Sequence, residues 1–176
     1  MEKKAKIIAC FKELRFKFDK KNFTHRLIAQ KIACLLDLKG IHLGYPWNIY
    51  VRGPYSPELT KDLFEHSDEF SQFVTEASLT EKESAIVKNL NDIFKLKPVL
   101  LEIGSTYGYF IKHSQCSPSE AIKLVKRLKP FYSESDIAIG ISKAKEFLFE
   151  PTTEDLNELR RETEAWQRAS LSSLRN

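Results

Sequence analysis

The sequence predicts a mainly α protein: a compact multi-helix domain with a small β element of one or two short strands, a form compatible with a winged-helix-like arrangement. Three observations carry this. Apolar residues return at helical spacing through most of the 176 residues, in segments that start at side chains able to cap a helix. One such segment, "HRLIAQKIACLLDLK" (25–39), is apolar almost all round. Strand-like alternation is confined to a single stretch, "YPWNIYVR".

Residues 3–17 repeat apolar positions at Ile7, Ile8, Phe11 and Leu14, continued by Phe18, which is helical spacing. A "DKKNF" turn follows. Thr24 is the expected N-cap of the next helix, with Phe23 stapling onto Ile28. In the helix over 25–39, Arg26, Gln30 and Asp37 share one narrow polar stripe, so the helix should be central and packed on several sides. Lys31 lies off that stripe, between the directions of Leu35 and Leu38. A buried unpaired ammonium is costly, so Lys31 must snorkel to water, pair with a carboxylate or face a pocket.

Gly40 and Gly44 end this helix and open a turn. In "YPWNIYVR", Trp47, Ile49 and Val51 alternate with Asn48, Tyr50 and Arg52, as in a half-buried strand that Gly53-Pro54 would stop. Ser56 is then an N-cap, Pro57 suits the first helical position and Glu58 the first turn, of a helix reaching about His66 with Leu59, Leu63 and Phe64 inward. "EFSQFV" is a candidate second strand. Thr80 with Glu83 and Ser117 with Glu120 are capping boxes, opening helices to about Lys95 and, through Pro118, to Pro130. Between them "PVLLEIGSTYGYFIKH" is helical, with Gly104 and Gly108 four apart to admit a close neighbour. Ser133 starts "ESDIAIGISKAKEFL". A charged terminal helix with Leu156, Leu159 and Trp166 completes the reading: residues 1–150 form one helical domain and 151–176 a helical appendage.

Composition bounds the partners. A 42% apolar fraction supports a core, and no apolar run approaches the roughly 20 residues of a membrane span. Charges interrupt the N-terminal apolar stretches, against a signal peptide. Cys10, Cys34 and Cys116 are isolated, as expected of reduced thiols in the cytoplasm. The net charge of +4 hides blocks: residues 1–39 hold 11 Lys/Arg against 4 Asp/Glu, 40–87 hold 3 against 8, 88–130 hold 8 against 3, and 131–176 hold 6 against 9. Such alternation builds either a basic face or helix faces that neutralise one another.

The chemistry is sparse. His25, His42, His66 and His113 lack metal-ligand spacing, and "GSTYG" lies within a helical pattern, unlike a phosphate loop. No catalytic constellation, metal or cofactor is expected. Glu102 is the one acid of its apolar helix, with Ser105, Thr106 and Tyr109 on its side; pairing with Lys31 would match two lone charges. At the corner after the strand, Arg52 could supply charge and Tyr55 a stacking face beside the N–H groups of a helix start, where an anion or carboxylate could bind. The alternative is an inward Tyr55 ring and an ordinary surface pair for Arg52.

"RLIAQKIACLLDLKG…YPWNIYVRGPYSPELTKDL" resembles the Panacea (SocA-like antitoxin) domain, and still more its YwgA-type relatives, in which an "LQKxxYLL" helix leads to an extended segment, GPYS and a helix. Gln30-Lys31, Gly53-Pro54-Tyr55-Ser56 and Glu58-Leu59 match that pattern, and "SPSEAIKLVKRLKPFYSESDI" is similar to the two-helix ending of the same group. The resemblance spans about residues 24–149. Ala33 and Cys34 replace the group's usual aromatic. The resemblance implies a compact helical domain that binds a partner protein such as a toxin, and it brings no enzymatic residue.

The expected function is therefore a non-enzymatic protein-binding module that neutralises or regulates its partner through Arg52, Tyr55, Ser56, Lys31 and Gln30. The runner-up is a nucleic-acid-binding, winged-helix-like regulator using Lys123, Lys126, Arg127 and Lys129. An enzyme of unknown class comes third.

Overall fold

The computed structural model describes residues 3–150 and a few isolated positions beyond them. Eight helices and one two-stranded antiparallel sheet are present among these residues. The terminal appendage expected over 151–176 falls almost wholly outside them. The chain runs α1 (Lys3–Glu13), α2 (Phe23–Lys39), β1 (Asn48–Tyr50), β2 (Gly53–Tyr55), α3 (Pro57–Glu65), α4 (Ser67–Gln72), α5 (Glu81–Phe94), α6 (Pro98–Lys112), α7 (Pro118–Leu128) and α8 (Glu134–Leu148).

Packing centres on α6, whose residues from Leu101 to Phe110 are all buried. Helices α2 and α8 flank it most extensively, and α7 and the hairpin cover other parts of its surface. Close approach requires the absence of side chains. A Cβ on Gly104 would stand 2.7 Å from the Phe94 ring, and one on Gly140 of α8 would stand 2.5 Å from Ile103 Cγ2. As its all-round apolarity predicts, α2 is central, with an unbroken buried run from Ile28 to Leu36.

The capping boxes at Thr80/Glu83 and Ser117/Glu120 form as expected, and Ser56 and Ser133 cap α3 and α8. Each side-chain oxygen satisfies a backbone N–H that the first helical turn leaves unpaired. Elsewhere local signals misplace the boundaries. Asn22, not Thr24, caps α2, accepting from His25 N, and Phe23 stays largely exposed instead of stapling inward. Helix α1 stops at Glu13; Phe16 N then returns to Phe11 O, which keeps Leu14, Phe16 and Phe18 in the core without helical continuation.

Two β expectations need correction. "EFSQFV" is not a strand: Ser67–Gln72 is helical, and Phe70, three residues from Phe73, turns into the core against Phe11 and Phe18. Three-residue spacing suits one helix face and cannot serve one strand face. Nor does Gly53-Pro54 end the β element. The chain turns at Val51-Arg52, and Gly53–Tyr55 forms the returning strand, in register Asn48 to Tyr55 and Tyr50 to Gly53. Trp47 is buried just before β1, its Nε1 donating to Asp37 Oδ2 at 3.3 Å, but Ile49 and Val51 do not share that interior face. Phe64, expected inward on α3, is also exposed.

No helix among the described residues is long and apolar enough to cross a membrane. Cys10 and Cys34 are buried free thiols, and burial pushes the Cys10 thiol up to about 12.

The α6–α8 contact yields a test. Gly140→Val forces a branched side chain into Ile103, itself β-branched and stiff in a helix. Urea denaturation should show a loss of about 3 kcal/mol with an unchanged m-value.

Candidate functional site

The hairpin is too short to be stable alone and depends on what lies beneath it. Gly53 has φ +85°, and a Cβ there would collide with Thr106 Oγ1 on α6, so only glycine lets this strand lie flat on the helix. Two hairpin carbonyls are gripped by buried ammonium groups. Lys129, just after α7, donates to Val51 O at 2.7 Å, and Lys31 of α2 donates to Pro54 O at 2.7 Å. Gln30 anchors the chain two residues on: its Oε1 accepts from Ser56 N at 2.9 Å, and its Nε2 donates to Ser56 O at 3.0 Å and to Thr60 Oγ1 at 2.9 Å.

Beneath this lies Glu102, fully buried on α6. Its Oε1 accepts from Lys129 Nζ at 2.6 Å; its Oε2 accepts from Tyr132 OH at 3.0 Å and faces Arg52 Nη1 at 3.4 Å. One carboxylate thus joins the core helix, the hairpin turn and the segment after α7. Burial pushes the Tyr132 hydroxyl up to about 12, helped by the neighbouring carboxylate. Burial also lowers the Lys129 ammonium, against the opposing pull of Glu102.

Above the network, α2, the hairpin and α3 border a groove of about 610 Å³. Phe23, Leu27, Tyr50, Val51, Leu63 and Phe64 give it apolar walls, while Gln30, Lys31 and Thr60 also line it. Gly53, Tyr55, Arg26 and Arg52 complete the lining. The guanidinium carbons of Arg26 and Arg52 lie 5.6 and 5.9 Å from the Phe23 ring centroid, and that of Arg52 lies 5.3 Å from the Phe131 centroid, distances at which cation–π attraction operates. Val51, at the hairpin tip, is 70% exposed.

The five residues expected to contact a partner do converge here, but with different access. Arg52 is half-exposed, and Tyr55 is partly exposed with its ring edge against Tyr50. Lys31, Gln30 and Ser56 are buried. Ser56 is out of an anion's reach: it is wholly buried, gives its N–H to Gln30 and accepts from Leu59 N on its hydroxyl. The corner is therefore tied inward, and only Arg52 and Tyr55 of it face outward.

Two further expectations change. Glu102 does not pair with Lys31: Lys129, Tyr132 and Arg52 hold its carboxylate, and Lys31 donates to Pro54 O instead. Lys129 is consequently no nucleic-acid contact: its side chain is wholly buried. Lys123, Lys126 and Arg127 are exposed on α7, and Lys126 lies 3.4 Å from Glu134. Sequence reasoning missed Tyr132 and the groove walls Phe23, Val51 and Phe64. The demand that a buried acid find a cation was the one available signal for Lys129. No group of three or more His, Cys, Asp or Glu among the described residues is placed to hold a metal ion.

No family model, curated protein or solved structure matches the chain.

Two measurements probe the network. Glu102→Gln leaves a buried ammonium without its countercharge and should cost about 3–5 kcal/mol in denaturant unfolding. Adding Lys129→Met should restore part of that loss, a non-additivity above about 1 kcal/mol. The second concerns Lys31, whose ammonium burial lowers from 10.5 to about 8. Below about pH 8 folded and unfolded chains both hold the proton, and the folded state bears the full burial cost. Between about 8 and 10.5 the folded chain releases the proton that the unfolded chain retains, so the cost shrinks as pH rises. The wild type should gain up to about 3 kcal/mol on Lys31→Met across this window. A pH-independent difference between their urea midpoints would contradict this.

Proposed function

We propose that the protein is a non-enzymatic protein-binding module of the antitoxin kind, acting in the cytoplasm, and that the groove between α2, the hairpin and α3 receives a segment of its partner. One observation carries the reading. Phe23, Tyr50, Val51 and Phe64, large apolar side chains exposed at the surface, gather on the walls of a single groove. Scattered exposed apolar residues are ordinary, but a clustered set beside a concave surface marks an interaction site. The resemblance of residues 24–149 to antitoxin domains points to the same kind of partner. The groove suits an apolar segment docked between helices and hairpin, with neutralisation or regulation as the consequence.

The nucleic-acid reading has less support. With Lys129 buried and Lys126 beside Glu134, its basic set shrinks to Lys123 and Arg127. Retention of DNA or RNA at low salt, abolished by Lys123→Glu with Arg127→Glu, would favour it instead.

Affinity capture from the native host tests the docking reading. Val51→Glu should reduce recovery of the partner at least about tenfold, since it places a charge on an apolar contact. Val74→Glu, at an exposed apolar position outside the groove lining, should leave recovery intact. A partner retained equally by both variants would remove the groove from the binding site.

A further inference from the structure

We infer that the partner segment received by this groove carries a carboxylate set among apolar side chains, and that Lys31 and Arg52 hold it. The inference rests on the protein-docking reading above and specifies the chemistry of the occupant.

The argument is one of charge complementarity. Arg26, Lys31 and Arg52 line the groove, and no Asp or Glu does. Three cations, Lys31, Arg52 and Lys129, surround the single carboxylate of Glu102. That carboxylate is chiefly engaged by Lys129 at 2.6 Å, whereas Arg52 reaches it only at 3.4 Å with half of its own side chain exposed. Lys31 is 1% exposed, yet its ammonium has a single acceptor, Pro54 O, and no carboxylate within ion-pair distance. An ammonium offers three donors. The groove therefore combines a buried, singly bonded ammonium with a guanidinium whose forked donors are incompletely used. With one carboxylate among three cations, the cluster keeps a net charge of +2.

An incoming carboxylate satisfies both groups through charge-assisted hydrogen bonds, and the apolar walls take its neighbours out of water. A neutral amide of the same shape cannot balance the charge. The occupant is a chain segment because the apolar surface rises beyond the groove. Phe131 stands exposed beside Arg52 but outside the groove lining, and a small acid seated in the groove would leave it wet.

Peptide display on the intact protein supplies probes without knowledge of the partner. Selected sequences should share an Asp, a Glu or a free C-terminal carboxylate flanked by Leu, Phe or Trp. Fluorescein-labelled peptides made as matched Glu and Gln pairs are then titrated by anisotropy. The wild type should prefer Glu by about tenfold or more, as expected for hydrogen bonds to a charged group. That preference should fall to about twofold or less in Arg52→Gln and in Lys31→Met, and persist in Lys123→Met. Arg52→Gln, at a half-exposed position, gives the answer even where Lys31→Met unfolds the chain.

The outcomes separate the two claims. Peptides lost on Phe64→Asn that show no Glu preference, or whose preference survives both variants, overturn the carboxylate inference and leave docking intact. Selection of no peptide, or of peptides indifferent to Phe64→Asn, overturns docking itself. Binding of cis-parinaric acid abolished by Phe64→Asn, with no peptide bound, would assign the groove to a small apolar acid.

Discussion

The buried carboxylate of Glu102 is the constraint on which the rest of the structure depends. It sits on the most enclosed helix among the described residues, where an isolated negative charge would be prohibitive. Lys129 and Tyr132 are drawn onto it from beyond α7, and the same Lys129 ammonium then reaches Val51 O. A salt bridge of this kind contributes little net stability compared with well-packed apolar residues. Its consequence is geometric. The hairpin turn is held to the core at a chosen place by hydrogen bonds, a more directional restraint than packing alone.

That arrangement leaves an imbalance on the other side of the hairpin. Gln30 satisfies the backbone of Ser56 in both directions, so this part of the corner is electrically neutral and complete. Lys31, one residue on, anchors Pro54 O but brings a charge that nothing directly balances. A neutral donor of longer reach, such as glutamine, carries no such ammonium burial cost. Retaining the charge beneath an apolar groove makes sense where the charge itself is used, as strained or costly groups tend to be at functional surfaces.

The helices were legible because their signals are local. Thr80 with Glu83, Ser117 with Glu120, and Ser56 before Pro57 each specify a helix start within four residues, and the side-chain bonds form as the spacing dictates. The centrality of α2 and the tight seam along α6 were likewise visible in periodicity and in Gly104. The hairpin was not, because its strands are three residues each and alternation across Trp47, Ile49 and Val51 reads as one longer strand. Nothing within that stretch announces that Val51 is a turn residue; the pull on its carbonyl comes from Lys129, 78 positions later. The same distance effect hid the partner of Glu102. Lys31 and Glu102 were both recognisable as lone charges on apolar helices, but sequence cannot tell which of several lysines folding brings nearest.

The long-range anchors that sequence could not show also explain why the hairpin tip suits recognition. Exposed apolar side chains on a mobile loop lose conformational freedom when they bind, and that loss subtracts from affinity. Here the carbonyls of Val51 and Pro54 are fixed from below, and Gly53 lies against Thr106 with no room for a side chain between them. With its backbone held inward, Val51 can only project outward beside Arg52. The ordering cost is thus met during folding, by the buried ion network, before any partner arrives. An exposed apolar tip with this much internal restraint is hard to account for as a mere connection between α2 and α3, since a polar turn would connect them without exposing valine to water.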